Sequence, residues 1–185
     1  MTAIFSYLRT WRFRRRIASL HAELGIPRDY ASRRALPPQP EARGLVVVGP
    51  DIYDREQRLL APAAAAWHAM VEAAARDGVE LQLVSAYRSV TYQEGIVRRK
   101  LERGQPIDEI LKVSAAPGFS EHHSGRAVDV TTPGYAVLEE TFEDSEAFAW
   151  LQQNAGRYGF SLSFPRGNPH GVAYEPWHWA WWADR

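Results

Sequence analysis

The chain has 185 residues with 22 basic and 22 acidic side chains, so its formal charge cancels and no global field points to nucleic acid. A hydrophobic content of 45% and an aromatic content of 12% exclude a disordered chain and allow one domain with a core. There are no cysteines, which excludes disulfides and thiolate metal sites; any zinc would be held by His, Asp or Glu.

Ile4, Leu8, Trp11, then Phe13, Ile17, Leu20 and Leu24 recur at helical spacing and predict an amphipathic helix over residues 3–24. Arg9, Arg12, Arg14, Arg15 and Arg16 cover its other side. Contact with a membrane surface is one reading of that face; a solvated face of a helix packed on the domain is the preferred one. No apolar run approaches a bilayer span, and IASLHAELG after the arginines is too short and polar for an export signal. The expectation is a cytoplasmic protein, with the periplasm as the alternative.

Residues 36–44, LPPQPEARG, form a proline-rich connection and divide the chain into a 1–43 lead and a 44–185 domain. LVVVG (45–49) predicts a buried strand, being short, β-branched and closed by Gly-Pro. Pro62 suits the first turn of a helix ending at Gly78. VELQLVSAYRS (79–89) alternates as a strand, 90–104 returns to helical period, and a short helix is expected over 106–113. Residues 145–160 predict another helix, and GVAYEPWHWAWW (171–182) a closing strand. Helices and strands mix without a regular strand–helix–strand rhythm. That predicts an α+β fold: a single domain with a central antiparallel sheet flanked by helices, plus the N-terminal amphipathic helix.

Two clusters carry chemistry. In GFSEHHSGRAVDV (118–130), His122 and Asp129 flank Gly125, and a loop running into a strand can aim both inward. On an extended chain His122 and His123 would point to opposite sides, so one is a ligand candidate and the other a bystander. In YEPWHWAWW, Pro176 bends the chain so that Glu175 and His178 can converge. Two histidines and one carboxylate are a common protein shell for catalytic zinc, with a fourth position left for water. A further carboxylate outside the shell can shuttle the proton, and Glu175 is the natural candidate. Arg88, at the end of LVSAYRS, offers a guanidinium for a carboxylate or for developing negative charge.

These residues resemble the D-alanyl-D-alanine carboxypeptidase family of VanY type. SEHHSGRAVD fits its Ser-x-His-x-x-Gly-x-Ala-x-Asp pattern, EPWHW its Glu-x-x-His element, and SAYRSVTYQ its Tyr-Arg-Ser-x-x-x-Gln element, over roughly residues 50–182. The resemblance implies a small α+β domain whose antiparallel sheet carries Zn2+ held by His122, Asp129 and His178, with Glu175 as general base. It also implies that Arg88, Gln93 and Ser120 hold the C-terminal portion of the substrate and that Trp177 lines the pocket. His123 and Glu121 occupy free positions of the pattern, and Glu121 reads as an exposed carboxylate. His170 reads as a turn residue, and His21 and His68 as structural or surface groups. The implied activity is zinc-dependent removal of terminal D-alanine from peptidoglycan-derived peptides, either D,D or L,D. A lysin-type stem-peptide endopeptidase and a non-catalytic zinc-stabilised binding module are the alternatives.

Overall fold

The structure, a computed structural model, describes residues 2–182, with side chains within the first helix from Trp11 onward. Ile4, Leu8 and Arg9, part of the helical pattern above, therefore lie outside the described side chains. Helix α1 (Thr2–Glu23) and the short helix α2 (Tyr30–Arg34) precede a hairpin of β1 (Leu45–Pro50) and β2 (Glu56–Leu60). Helix α3 (Ala61–Arg76) leads to β3 (Gln82–Ser85), helices α4 (Val90–Glu102) and α5 (Ile107–Val113), and β4 (Ala127–Thr131). Helix α6 (Glu146–Asn154), β5 (Phe160–Leu162) and β6 (His178–Trp181) follow. Among the described residues no helix is long and apolar enough to cross a membrane.

Local chemistry explains the helix starts. Pro62 sits in the first turn of α3, where its missing N–H has no partner to lose. Ser89 and Ser145 cap α4 and α6, each hydroxyl accepting a backbone N–H at 3.0 Å, from Tyr92 and Phe148. Helix α3 buries Ala63, Ala64, Trp67, Met70 and Ala74 against Leu83, Val128, Phe148 and Trp179. Helix α1 buries Ile17 and Leu20, and the residue just after it, Leu24, joins them in a second core with Val90, Val97, Ile110, Leu111 and Phe119, while Arg12, Arg14, Arg15 and Arg16 stay exposed. The lead segment thus shares a core with α4 and α5.

The main sheet has the order β3–β4–β6–β5, antiparallel throughout, as expected of an α+β domain. Its register places Asp129 directly opposite His178 on one side and Ser85 on the other. Residues 45–49 do form a strand, but not a buried one: β1 pairs with β2 alone in a two-stranded sheet. Val48 is buried, whereas Val46 and Val47 are 39% and 53% exposed, because the hairpin has a single strand partner and one covered face. The Asp51 carboxylate ties the hairpin turn, accepting from the backbone N–H groups of Tyr53 and Arg55, from Arg55 Nε and from Gln57 Nε2. Gln57 Oε1 in turn accepts the N–H of Ala86 at 2.9 Å, where the chain has just left β3. That contact explains why β3 stops short of the expected 79–89. The closing strand also starts late, at His178, since Pro176 lacks an N–H and Ala173 and Glu175 donate to Lys112 O and Phe164 O instead. Helix α6 ends at Asn154, and a 3-10 turn over Ala155–Tyr158 carries the chain to β5.

Candidate metal centre

Residues Glu121–Ser124 form a 3-10 turn, not the extended chain assumed from the sequence. Gly125 ends it at φ 64°, and a Cβ there would come within 2.7 Å of Leu45 Cδ2 and 3.2 Å of Leu60 N. Both the left-handed backbone and the close approach of the hairpin call for glycine. The turn buries both histidines, and each ring is fixed by a carbonyl that can only accept. His122 Nδ1–H donates to Ala86 O at 2.5 Å and His123 Nδ1–H to Arg88 O at 2.6 Å. His123 Nε2 accepts the Gly118 N–H at 3.0 Å, so both its nitrogens are committed to the backbone. The expected bystander is a strut under the Arg88 loop. Burial, aided at each ring by the Arg88 charge, brings both histidines down to about 4, which keeps them neutral.

Strands β4 and β6 supply the other half. His178 Nδ1 lies 2.9 Å from Asp129 Oδ1 and its Nε2 lies 2.9 Å from Glu121 Oε2. Burial opposes charge on this ring, but hydrogen bonds to the two carboxylates outweigh it and lift His178 to about 10 in the metal-free chain. Asp129 is held well below the usual carboxylate range: burial would raise it, and the two histidines overcome that. Glu121 corrects the sequence reading. Its side chain is only 15% exposed and bonded to His178, not a free surface carboxylate. Alternation along a strand would have turned it away from the cluster; the 3-10 turn does not alternate.

One ligand atom each from His122, Asp129 and His178 lies within 4.8 Å of the others. The residues fit a metal on a specific ground. With its proton on Nδ1, His122 presents a lone pair at Nε2, buried and without a hydrogen-bond partner among the described residues. It faces Asp129 Oδ2 at 3.2 Å with no proton between them. Two acceptors in that position repel unless a cation lies between them, and imidazole with carboxylate is a donor set that zinc accepts.

Beside the cluster lies a cavity of about 350 Å3, lined by Arg88, Asp129, Glu175 and Trp177, with Ile96, Lys100 and Leu138 further along. A turn in which His178 N–H donates to Glu175 O at 3.1 Å brings Glu175 Oε2 to 4.0 Å from His178 Nδ1. Burial pushes the Glu175 carboxyl up to about 7, with His178 opposing and Asp129 adding to the rise. Arg88 reaches Gln93 Oε1 at 3.3 Å and Asp129 Oδ2 at 3.5 Å, and its buried Nε has no partner among the described residues. Gln93 stands behind Arg88, its Nε2 donating to Ala115 O at 2.8 Å. Ser120 is buried just before the turn and does not line the cavity. His170 accompanies none of these groups; its Nδ1–H donates to Arg34 O. His21 bonds Pro117 O, and His68 is exposed on α3. Lys100, which the sequence reading passed over, occupies the cavity wall with Arg88.

The sequence profile described as VanY, D-alanyl-D-alanine carboxypeptidase, matches residues 56–184. The putative carboxypeptidase YodJ of Bacillus subtilis (strain 168) is 34% identical over 155 residues, covering 78% of this chain and 55% of that protein. The chain thus spans about half the length of the curated relatives it matches. Among solved structures, the LdcB LD-carboxypeptidase is similar with a TM-score of 0.69 and 31% identity, over 78% of this chain and 71% of that one. A mutant of the vancomycin-resistance D,D-pentapeptidase VanY in complex with Zn(II) gives a TM-score of 0.60 and 26% identity, over 78% and 82%. The profile runs through both halves of the cluster, His122 with Asp129 and Glu175 with His178, and the chain belongs to the VanY family of D-alanyl-D-alanine carboxypeptidases.

Proposed function

We propose that the protein is a zinc carboxypeptidase that releases the C-terminal D-alanine from peptidoglycan-derived peptides. The observation that carries this reading is the convergence of His122, Asp129 and His178 on one point, with the unpartnered His122 lone pair facing Asp129. The zinc-bound VanY neighbour supports the choice of ion. Zinc in such a shell acidifies a bound water and polarises a carbonyl.

The chain's own residues supply the rest. His122 Nε2, Asp129 and His178 Nδ1 would hold the ion, each with its orientation already set by Ala86 O, the β4–β6 register and Glu121. Glu175, raised toward neutrality by burial, takes the proton of the attacking water at a carboxylate oxygen and passes it to the leaving amine nitrogen. Arg88, whose Nε has no partner among the described residues, receives the terminal carboxylate of the substrate; Gln93 keeps that guanidinium in place. Trp177 walls the cavity around the last residue, while Ser120, buried before the ligand turn and outside the cavity lining, takes no direct part in holding the peptide.

The test is a digest of defined tetrapeptide and pentapeptide stems by the zinc-loaded protein, run side by side with free D-alanine quantified. Release of D-alanine from at least one stem is expected, and Glu175→Gln should lower kcat by about 10²–10⁴ while zinc stays bound. Internal cleavage without free D-alanine would replace the reading by an endopeptidase, and full activity of the variant would remove Glu175 from the mechanism.

A further inference from the structure

Helix α4 carries one stripe, Gln93, Ile96 and Lys100, at i, i+3 and i+7: Gln93 stands behind Arg88, and Ile96 and Lys100 line the catalytic cavity. Gln93 is spent on Arg88 and Ala115 O. Lys100 is not used in the same way. Its Nζ donates to the neutral hydroxyl of Ser114 at 2.8 Å, and among the described residues no carboxylate stands within ion-pair distance. Lys112, by contrast, is paired with Glu109 on the surface. The ammonium is half removed from water and shares its cavity with the Arg88 guanidinium and with the Asp129 and Glu175 carboxylates, neither of which stands within ion-pair distance of it. Burial and the Arg88 charge both bring the lysine down from its ordinary value, with Glu175 opposing. An incoming anion relieves that conflict.

The position says which anion. A rise of about 1.5 Å per residue puts Lys100 roughly 10 Å along α4 from Gln93, the residue that fixes Arg88. The Arg88 guanidinium is anchored by Gln93 and Asp129 and the Lys100 ammonium by Ser114, so the two cations are held separately and each suits a carboxylate of its own. The second carboxylate would sit at the end of a long side chain on the neighbouring substrate residue. Ile96, Val113 and Leu138 line the same cavity and suit an aliphatic chain; Val113 and Leu138 are 53% and 45% exposed. Ser114 accepts from Lys100 through a lone pair, so its own hydroxyl proton is left to donate to the arriving carboxylate.

We propose that Lys100 and Ser114 form an anion subsite that selects, at the residue before the terminal D-alanine, a long side chain ending in a carboxylate. This rests on the carboxypeptidase reading and sharpens it. A tetrapeptide stem ending in a diamino-dicarboxylic acid and D-alanine carries that group; a pentapeptide stem, with D-alanine in the penultimate place, does not. The scissile bond is then of the L,D type.

Three tetrapeptides test this with the zinc-loaded protein: one with meso-diaminopimelate before D-alanine, one with the same residue amidated at its side-chain carboxylate, and one with lysine. The free acid should be preferred over both others by about tenfold or more in kcat/KM, mostly through KM, the size of one charge-assisted hydrogen bond. Lys100→Met should bring that ratio to within about twofold, and Lys100→Glu should turn the preference toward the lysine peptide. A preference left intact in Lys100→Met would overturn the subsite. So would an equal loss on all three peptides, which would place Lys100 on the terminal carboxylate with Arg88. Binding of the same peptides to Glu175→Gln by calorimetry keeps the two readings apart. Absence of any cleavage ends the carboxypeptidase reading, while the ratio of dissociation constants, with and without Lys100→Met, still decides for or against the subsite.

Discussion

Replacing Glu121 by glutamine or alanine perturbs the candidate centre without touching a ligand. Glu121 Oε2 receives the His178 Nε2 proton at 2.9 Å in a site where the two side chains are only 15% and 4% exposed, so the contact is little screened by solvent. A hydrogen bond to a charged group is worth roughly 1.5–3 kcal/mol. Loss of such a carboxylate behind a metal-bound histidine lowers metal affinity by about 10–100-fold. The two scales agree, since each tenfold is about 1.4 kcal/mol. Glutamine keeps an acceptor oxygen and loses the charge, so Glu121→Gln belongs near the tenfold end. Glu121→Ala loses the bond outright and belongs near the hundredfold end. The same carboxylate holds the His178 proton in the metal-free chain, which offsets part of the loss. A divalent ion carries twice the charge of the proton it displaces, so the sign of the effect survives. Competition against a chromophoric chelator at neutral pH measures the affinities. The gap in thermal midpoint between zinc-loaded and chelator-treated protein should narrow in the same order. Parental affinity within twofold in both folded variants would refute the reasoning.

Three further outcomes follow from the same geometry. His123→Ala should destabilise the chain by about 2–5 kcal/mol in urea, because the buried Gly118 N–H and Arg88 C=O lose their partners. Its zinc affinity should stay within a few-fold of the parent, whereas His122→Ala should lose at least about a hundredfold; equal losses of zinc in both would return the adjacent pair to ambiguity. Asp51 supplies a pH signature. Burial alone would raise its carboxyl, but the N–H groups of Arg55 and Tyr53 and the Arg55 guanidinium hold it below the ordinary value. A depressed folded value stabilises fully above the unfolded value of about 4 and is lost as pH falls through the folded one. The stability gap between parent and Asp51→Asn, followed in chelator by urea unfolding, should therefore be largest near neutrality and close in strong acid. A gap independent of pH would mean that the charge of Asp51 contributes nothing.

How legible this protein is in its sequence depends on whether a feature is set by neighbours along the chain or across it. Ser89, Ser145, Pro62 and the buried stripe of α3 act within one or two turns, and the helices they announce stand nearly where spacing places them. The candidate ligands were legible for a related reason: they fall in two short segments, and the structure brings those segments together. What joins the segments, the pairing of Asp129 with His178 across β4 and β6, is a non-local register that no window of sequence contains. Exposure of Val46 and Val47 was hidden likewise, since β-branched composition reports fitness for a strand and not how many partners the strand will have. Glu121 failed differently. Its neighbours were judged on an extended chain, although Gly125 in a left-handed turn was a local signal against extension. Lys100 was open to the sequence all along. Once Gln93 is placed behind Arg88, the 3.6-residue period carries the same face to Ile96 and Lys100, and the second cation of the cavity follows from α4 alone. The candidate ligand motif thus marks where the metal is proposed to sit, and the α4 stripe that continues from Gln93 marks where the proposed anion subsite lies.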